Sequence, residues 1–271
     1  MTYELGILGA GNMAEAIVRG VLRAGVLTAD RVIASDPTPA RRELFERELG
    51  VRTTADNVAA AAQSSVLLLS VKPQQMADVL KPVGAAMDPG NVLVVSIAAG
   101  ISSSFIERSL GGGRPWRVVR TMPNTPMLIG EGMVGLARGQ HATADDVAAA
   151  TRLFAAAADV VEVAEEKINA VTAVSGSGPA YVYFLVEQMV KAGVELGLTP
   201  EQAHQLATKT AYGAAKMMLH STDAPAELRR KVTSPGGTTH AAITRMEVNG
   251  LPQTIVDALK AAERRGRELG V

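Results

Sequence analysis

The chain has 271 residues, 47% hydrophobic and 20% charged, which suits one large globular domain or two smaller ones and is too apolar for disorder. Its 27 basic and 27 acidic residues cancel and aromatics reach only 3%, so neither a basic footprint nor a stacking platform for nucleic acid is expected. Absence of cysteine excludes disulfides, thiolate metal sites and cysteine nucleophiles; with no apolar run of about 18 residues and no basic region in Met1-Thr2-Tyr3-Glu4, a cytoplasmic protein without a membrane span or secretory signal is expected.

Short β-branched runs at 5–8, 31–35, 66–71, 91–97 and 117–122 alternate with helical segments at 13–24, 39–49 and 74–87. Gly25 and Gly50 stop the first two helices, and Pro82 is expected to bend or end the third. This alternation reads as βαβ units on a parallel sheet, and near-continuous apolar strands such as Val66-Leu67-Leu68-Leu69 predict burial on both faces. After Glu165 the texture changes to helices at 179–196, 200–220, 224–232, 239–248 and 252–269, with Thr199-Pro200-Glu201-Gln202 as a capped start. The expected fold class is therefore α/β: an N-terminal Rossmann-type dinucleotide-binding domain over 1–165, then an all-helical domain over 166–271.

The first strand runs directly into Gly9-Ala10-Gly11-Asn12-Met13-Ala14, a G-x-G-x-x-A turn opening a helix. Gly9 permits the turn, Gly11 lets the backbone approach a pyrophosphate, and Ala14 allows close helix–strand packing. The helix start offers free N–H groups and a positive dipole end to an anion. The second strand ends at Ser35-Asp36; an acidic residue there binds a ribose 2′-hydroxyl and favours NADH, whereas Arg41 and Arg42 could neutralise the 2′-phosphate of NADPH, so the preference stays open. Later strand ends add Val71-Lys72-Pro73, Ala98-Ala99-Gly100 and Asn124, and Asn57 completes the candidate cofactor set.

Two further loops precede helices: Ser175-Gly176-Ser177-Gly178-Pro179 and Ser234-Pro235-Gly236-Gly237-Thr238-Thr239. Consecutive N–H groups at a helix start form a carboxylate-sized nest. The four histidines are scattered and no metal site is expected; Met217 and Met218 read as core.

Taken together, these motifs resemble pyrroline-5-carboxylate reductases, and they span nearly the whole chain in the family's order. Ser-Pro-Gly-Gly-Thr-Thr, followed by Ile243 and Met246-Glu247, is the most specific piece. The resemblance implies reduction of 1-pyrroline-5-carboxylate to proline by NADPH or NADH, a helical domain that interlocks with a second subunit, an active site at the dimer interface, and a homodimer or ring of dimers. It implies that Thr239 hydrogen-bonds the substrate ring nitrogen, that Gly236, Gly237 and Thr238 hold its carboxylate, and that Glu165, Ser175 and Ser177 lie near the ring. Lys231 stands where some members have an amide touching the carboxylate, and as a substrate-binding candidate it could still pair with that charge. Asp36 stands where some have a phosphate-binding serine. Two other readings remain: a related imine or 3-hydroxy-acid reductase on the same architecture, and a dinucleotide sensor without turnover.

Overall fold

A computed structural model describes residues 3–270. The chain forms two compact units: one runs to Ser177 and resumes at Ala262, the other is Gly178–Ala261.

The first unit carries β1 (Tyr3–Leu8), α1 (Asn12–Arg23), β2 (Val32–Ser35), α2 (Pro39–Leu49), β3 (Arg52–Thr54), α3 (Asn57–Ala61), β4 (Ser64–Leu69), α4 (Met76–Ala86), β5 (Leu93–Ser96), α5 (Ser103–Ser109), β6 (Arg117–Pro123), β7 (Gly132–Arg138), α6 (Ala144–Phe154), β8 (Ala158–Glu162) and α7 (Ile168–Val171). The strands form one sheet in the order β3-β2-β1-β4-β5-β6-β7-β8. Every pairing is parallel except β6 with β7. The central strands alternate faces: Ile7, Leu68, Val95 and Val119 pack into one core, while Leu8, Leu67, Leu69, Val94 and Val118 pack into the other. Strand order reverses between β1 and β4, the place where such sheets open a crevice outside their strand C-termini.

Residues 166–177, assigned from the sequence to the helical half, belong to this first unit. The reason is close packing without side chains in between. A Cβ on Gly135 of β7 would lie 2.5 Å from Val171, and one on Gly176 would lie 2.6 Å from Met122. The end of the chain also returns here, where Gly100 lies against the Leu269 backbone. Pro82 sits inside α4 without ending it. It faces solvent, where water can serve the carbonyl that its missing N–H leaves free.

The second unit contains α8 (Gly178–Glu195), α9 (Pro200–His220), α10 (Pro225–Lys231), α11 (Thr238–Val248) and most of α12 (Leu251–Glu268). Thr199 and Gln202 close the expected capping box at α9. Among the described residues of this unit only Ala203 and Ala207 are buried. Met217 and Met218, expected in the core, are 62% and 47% exposed, and Phe184 is 65% exposed. Apolar spacing identified these helices but not what covers them.

Candidate active site

The turn after β1 is shaped by Gly9, whose φ is +96°. A Cβ there would sit 2.7 Å from the Ser70 carbonyl oxygen. The Gly9 N–H donates to the Ser35 carbonyl at 2.8 Å, and Ser70 N–H donates to the Leu8 carbonyl at 2.8 Å, which ties the ends of β1, β2 and β4 together. Gly11 is the N-cap of α1, and no side chain caps that helix start. A Cβ on Gly11 would meet nothing within 4 Å, so its outer side is open to a ligand. Free amides, a helix dipole and an open glycine suit a pyrophosphate.

The residues around this turn fall into two groups. Ser35 is fully buried, with its hydroxyl within hydrogen-bond distance of the Ile7 carbonyl and the Asn57 side-chain oxygen. Ser35 thus links Asn57 to the end of β1. Asp36 accepts from Ala10 N–H at 2.9 Å and from Thr38 N–H at 2.8 Å. Arg41 donates to the Ala10 carbonyl at 2.6 Å and to Glu15 at 3.0 Å. Lys72 is exposed in the segment Val71–Pro73 that follows β4. Ala98 is buried, Ala99 is exposed, and Gly100, at φ +76°, is covered by Leu269. Asn12 and Met13 open α1 on the same side as Gly11.

Asn124 and Ser175, predicted separately, are brought together. The Asn124 amide lies 3.3 Å from both the Ser175 carbonyl and its hydroxyl, while its oxygen accepts from Met133 N–H at 2.9 Å. Ser177 closes the same turn through its N–H on the Thr172 carbonyl at 2.8 Å. Glu165 spans two partners. One oxygen accepts from Ser103 N–H at 2.7 Å and lies 3.5 Å from the Arg120 guanidinium; the other accepts from the Ser103 hydroxyl. Burial lowers the Arg120 pKa, and the Glu165 charge opposes that shift. Ser103 and Arg120 carried no motif; only the fold joins them to Glu165.

In the second unit, Gly236 has φ +70°, and a Cβ on Gly237 would lie 2.6 Å from the Ser234 hydroxyl. This tight turn makes Gly237 the N-cap of α11, again with no side-chain cap. The first-turn amides of Thr238, Thr239 and His240 are thus left for another acceptor. Thr239 is half-buried. Lys231, at the end of α10, sits 2.5 Å from Asp223; that bond raises the lysine's pKa and lowers the aspartate's. Among the described residues no group of three or more His, Asp or Glu is placed to hold a metal, and no helix is long and apolar enough to cross a membrane.

A doubly wound sheet with a glycine turn at its crevice defines the dinucleotide-binding class of α/β proteins. Comparison with known proteins specifies it further. The family model described as pyrroline-5-carboxylate reductase dimerisation matches residues 165–269, and that described as NADP oxidoreductase coenzyme F420-dependent matches 4–100. The chain is 41% identical to the pyrroline-5-carboxylate reductase of Synechocystis over 100% of this chain and 99% of that one. It is 44% identical to the Pseudomonas aeruginosa enzyme over 99% and 97%. The solved structure of the Coxiella burnetii reductase superposes with a TM-score of 0.92 at 36% identity, covering 100% of both chains. That of the Plasmodium falciparum reductase with NADP bound superposes at 0.88 and 26% identity, covering 99% and 98%. The chain belongs to the pyrroline-5-carboxylate reductase family and is an NAD(P)H-dependent oxidoreductase acting on a CH–NH group. It is an oligomer-forming chain, and the helical unit supplies the dimerisation region.

Proposed function

We propose a division of labour between the two glycine turns. The chain reduces 1-pyrroline-5-carboxylate to L-proline, the last step of proline biosynthesis. The Gly9–Ala10–Gly11–Asn12 turn receives the dinucleotide pyrophosphate, with Lys72, Ala99 and Asn12 on the same strand-end side of the sheet. When bound, the reduced nicotinamide supplies a hydride to the C=N carbon. The uncapped start of α11 receives the substrate carboxylate on the amides around Gly237, Thr238 and Thr239, helped by the helix dipole. Thr239 hydroxyl accepts the iminium N–H and fixes the ring. A protonated imine is already a strong electrophile, so the protein contributes orientation rather than a strong acid. Glu165 holds the start of α5 through Ser103, and Asn124 holds Ser175. Lys231 stays on Asp223 and outside direct contact with the substrate. The working form is a homodimer or a ring of dimers in the cytoplasm, acting on a small molecule rather than on nucleic acid or membrane.

The observation that carries this reading is the bare α11 N-terminus beside Thr239, a carboxylate site next to a hydroxyl. The test is oxidation of NADPH and NADH with racemic pyrroline-5-carboxylate. Thr239→Ala is expected to lower kcat/KM by about 10- to 150-fold, the worth of a hydrogen bond to a charged group, while dinucleotide affinity stays. Thr239→Ser should recover most of the loss. Full activity in Thr239→Ala refutes the substrate assignment.

A further inference from the structure

The groups around the Gly9 turn also bear on which dinucleotide it takes; this step rests on the turn being the dinucleotide site. Asp36, at the carboxyl end of β2, is locked by Ala10 N–H on one oxygen and Thr38 N–H on the other. A carboxylate fixed at that strand end accepts hydroxyl protons and repels a phosphate. NADPH use would then need a cation to compensate. Arg41 and Arg42 lead the following helix, and both are engaged elsewhere. Arg42 donates to the Asp36 and Pro37 carbonyls at 2.7 and 3.0 Å. Arg41 is held between the Ala10 carbonyl and Glu15, with 3.0 Å between its terminal nitrogen and the Glu15 carboxylate.

Glu15 stands in the first turn of α1 and also pairs with Arg19 at 2.9 Å. Burial raises its pKa, but the bonds from Arg19 and Arg41 outweigh that and hold it below the usual carboxylate value. Glu15 thus stays charged at neutral pH and neutralises the arginine best placed on the turn. We infer that Asp36 and Glu15 together make this chain prefer NADH: Asp36 by excluding the 2′-phosphate, Glu15 by positioning Arg41 on the turn and away from it. Glu15 is a positioning residue, acting through Arg41.

The test is equilibrium binding of NADH and NADPH to the full-length protein without imine, read by nicotinamide fluorescence. Wild type is expected to bind NADH at least tenfold tighter. Asp36→Asn, which keeps an acceptor oxygen for Ala10 N–H and removes the charge, should tighten NADPH relative to NADH by at least tenfold. Adding Glu15→Gln to that variant should tighten NADPH a further few-fold, and this gain should shrink at 0.5 M salt, because it comes from a freed arginine. A thermal melt of each variant with and without dinucleotide verifies folding. Wild-type binding that favours NADPH, or a ratio unmoved by Asp36→Asn, overturns the inference while leaving the turn as the dinucleotide site. Binding of neither dinucleotide overturns both.

Discussion

Two glycines two positions apart are expected to fail in opposite ways when given a methyl group. Gly11 has φ −75° and ψ 180°, which any residue adopts, and its added Cβ meets no protein atom within 4 Å. In Gly11→Ala the loss of unfolded-chain entropy stabilises by about 0.4–1 kcal/mol. Replacing glycine by alanine at an N-cap costs a similar several tenths to about 1 kcal/mol. The fold should therefore shift by no more than about 0.5 kcal/mol. The methyl occupies the approach to the free α1 amides, so the dinucleotide Kd should rise at least tenfold, about 1.4 kcal/mol. Gly9→Ala differs. At φ +96° the strain is about 1–3 kcal/mol, and the Cβ falls 2.7 Å from the Ser70 carbonyl oxygen, which is backbone and yields poorly. At about 2–4 °C per kcal/mol for a unit of this size, its Tm should drop by about 5 °C or more. Thermal melts and nicotinamide fluorescence titrations on the two variants read both quantities. Wild-type dinucleotide affinity in Gly11→Ala would refute the placement of the pyrophosphate at this turn.

Three other expectations address the rest of the molecule. Asn124→Ala removes the acceptor of Met133 N–H and the donor to Ser175 in a buried setting, so urea unfolding should show a loss of about 2 kcal/mol; under 0.5 kcal/mol would mean water replaces those bonds. Phe184→Asp places a charge on an apolar helix face that dimerisation should cover, and sedimentation should show a shift toward monomer; an unchanged assembly would move the interface elsewhere. Glu107 has its pKa raised from 4.5, chiefly by burial, against the bond from Gln140 N–H. A raised carboxyl pKa means the folded state holds more protons than the unfolded one, so stability falls as pH rises above about 4.5. Glu107→Gln should therefore be more stable than wild type at pH 7, with the gain gone below pH 4; an equal gain at both would make the effect one of packing.

Where local chemistry and tertiary demand agreed, the sequence alone sufficed. Pro39 at the first helical position and Gly50 in the left-handed region bound α2 at Pro39–Leu49, as their residue types require. Elements without such signals escaped. β3 is three residues long, and β7 carries Gly132 and Gly135, which lower strand propensity but let α7 lie flush on the sheet. The helix α6 has its own capping box at Thr143 and Asp146, a start signal legible in the residues themselves. Within the site, motif residues were visible and their partners were not. Nothing in the sequence links Glu165 to Ser103 or Asn124 to Ser175, because those contacts join segments more than fifty residues apart.

The exposed methionines of α9 carry a separate argument. A periodic apolar stripe states that a helix face must be covered, and it does so equally for a core and for a partner subunit. The difference lies in the tally of burial. With Ala203 and Ala207 the only buried side chains among its described residues, the helical unit has little burial of its own to set against backbone ordering, which costs about 1–2 kcal/mol per residue. Covering Tyr183, Phe184, Leu185, Leu206, Met217 and Leu219, each more than half exposed in the single chain, must supply that deficit. For residues 178–261, folding and self-association are then one equilibrium, and their stability should rise with protein concentration. The Ser234–Thr239 turn lies inside this unit, so the substrate site proposed there should be formed only when the chains have associated. Specific activity should accordingly fall on dilution along the same curve as the oligomer, and constant activity through dissociation would break the link.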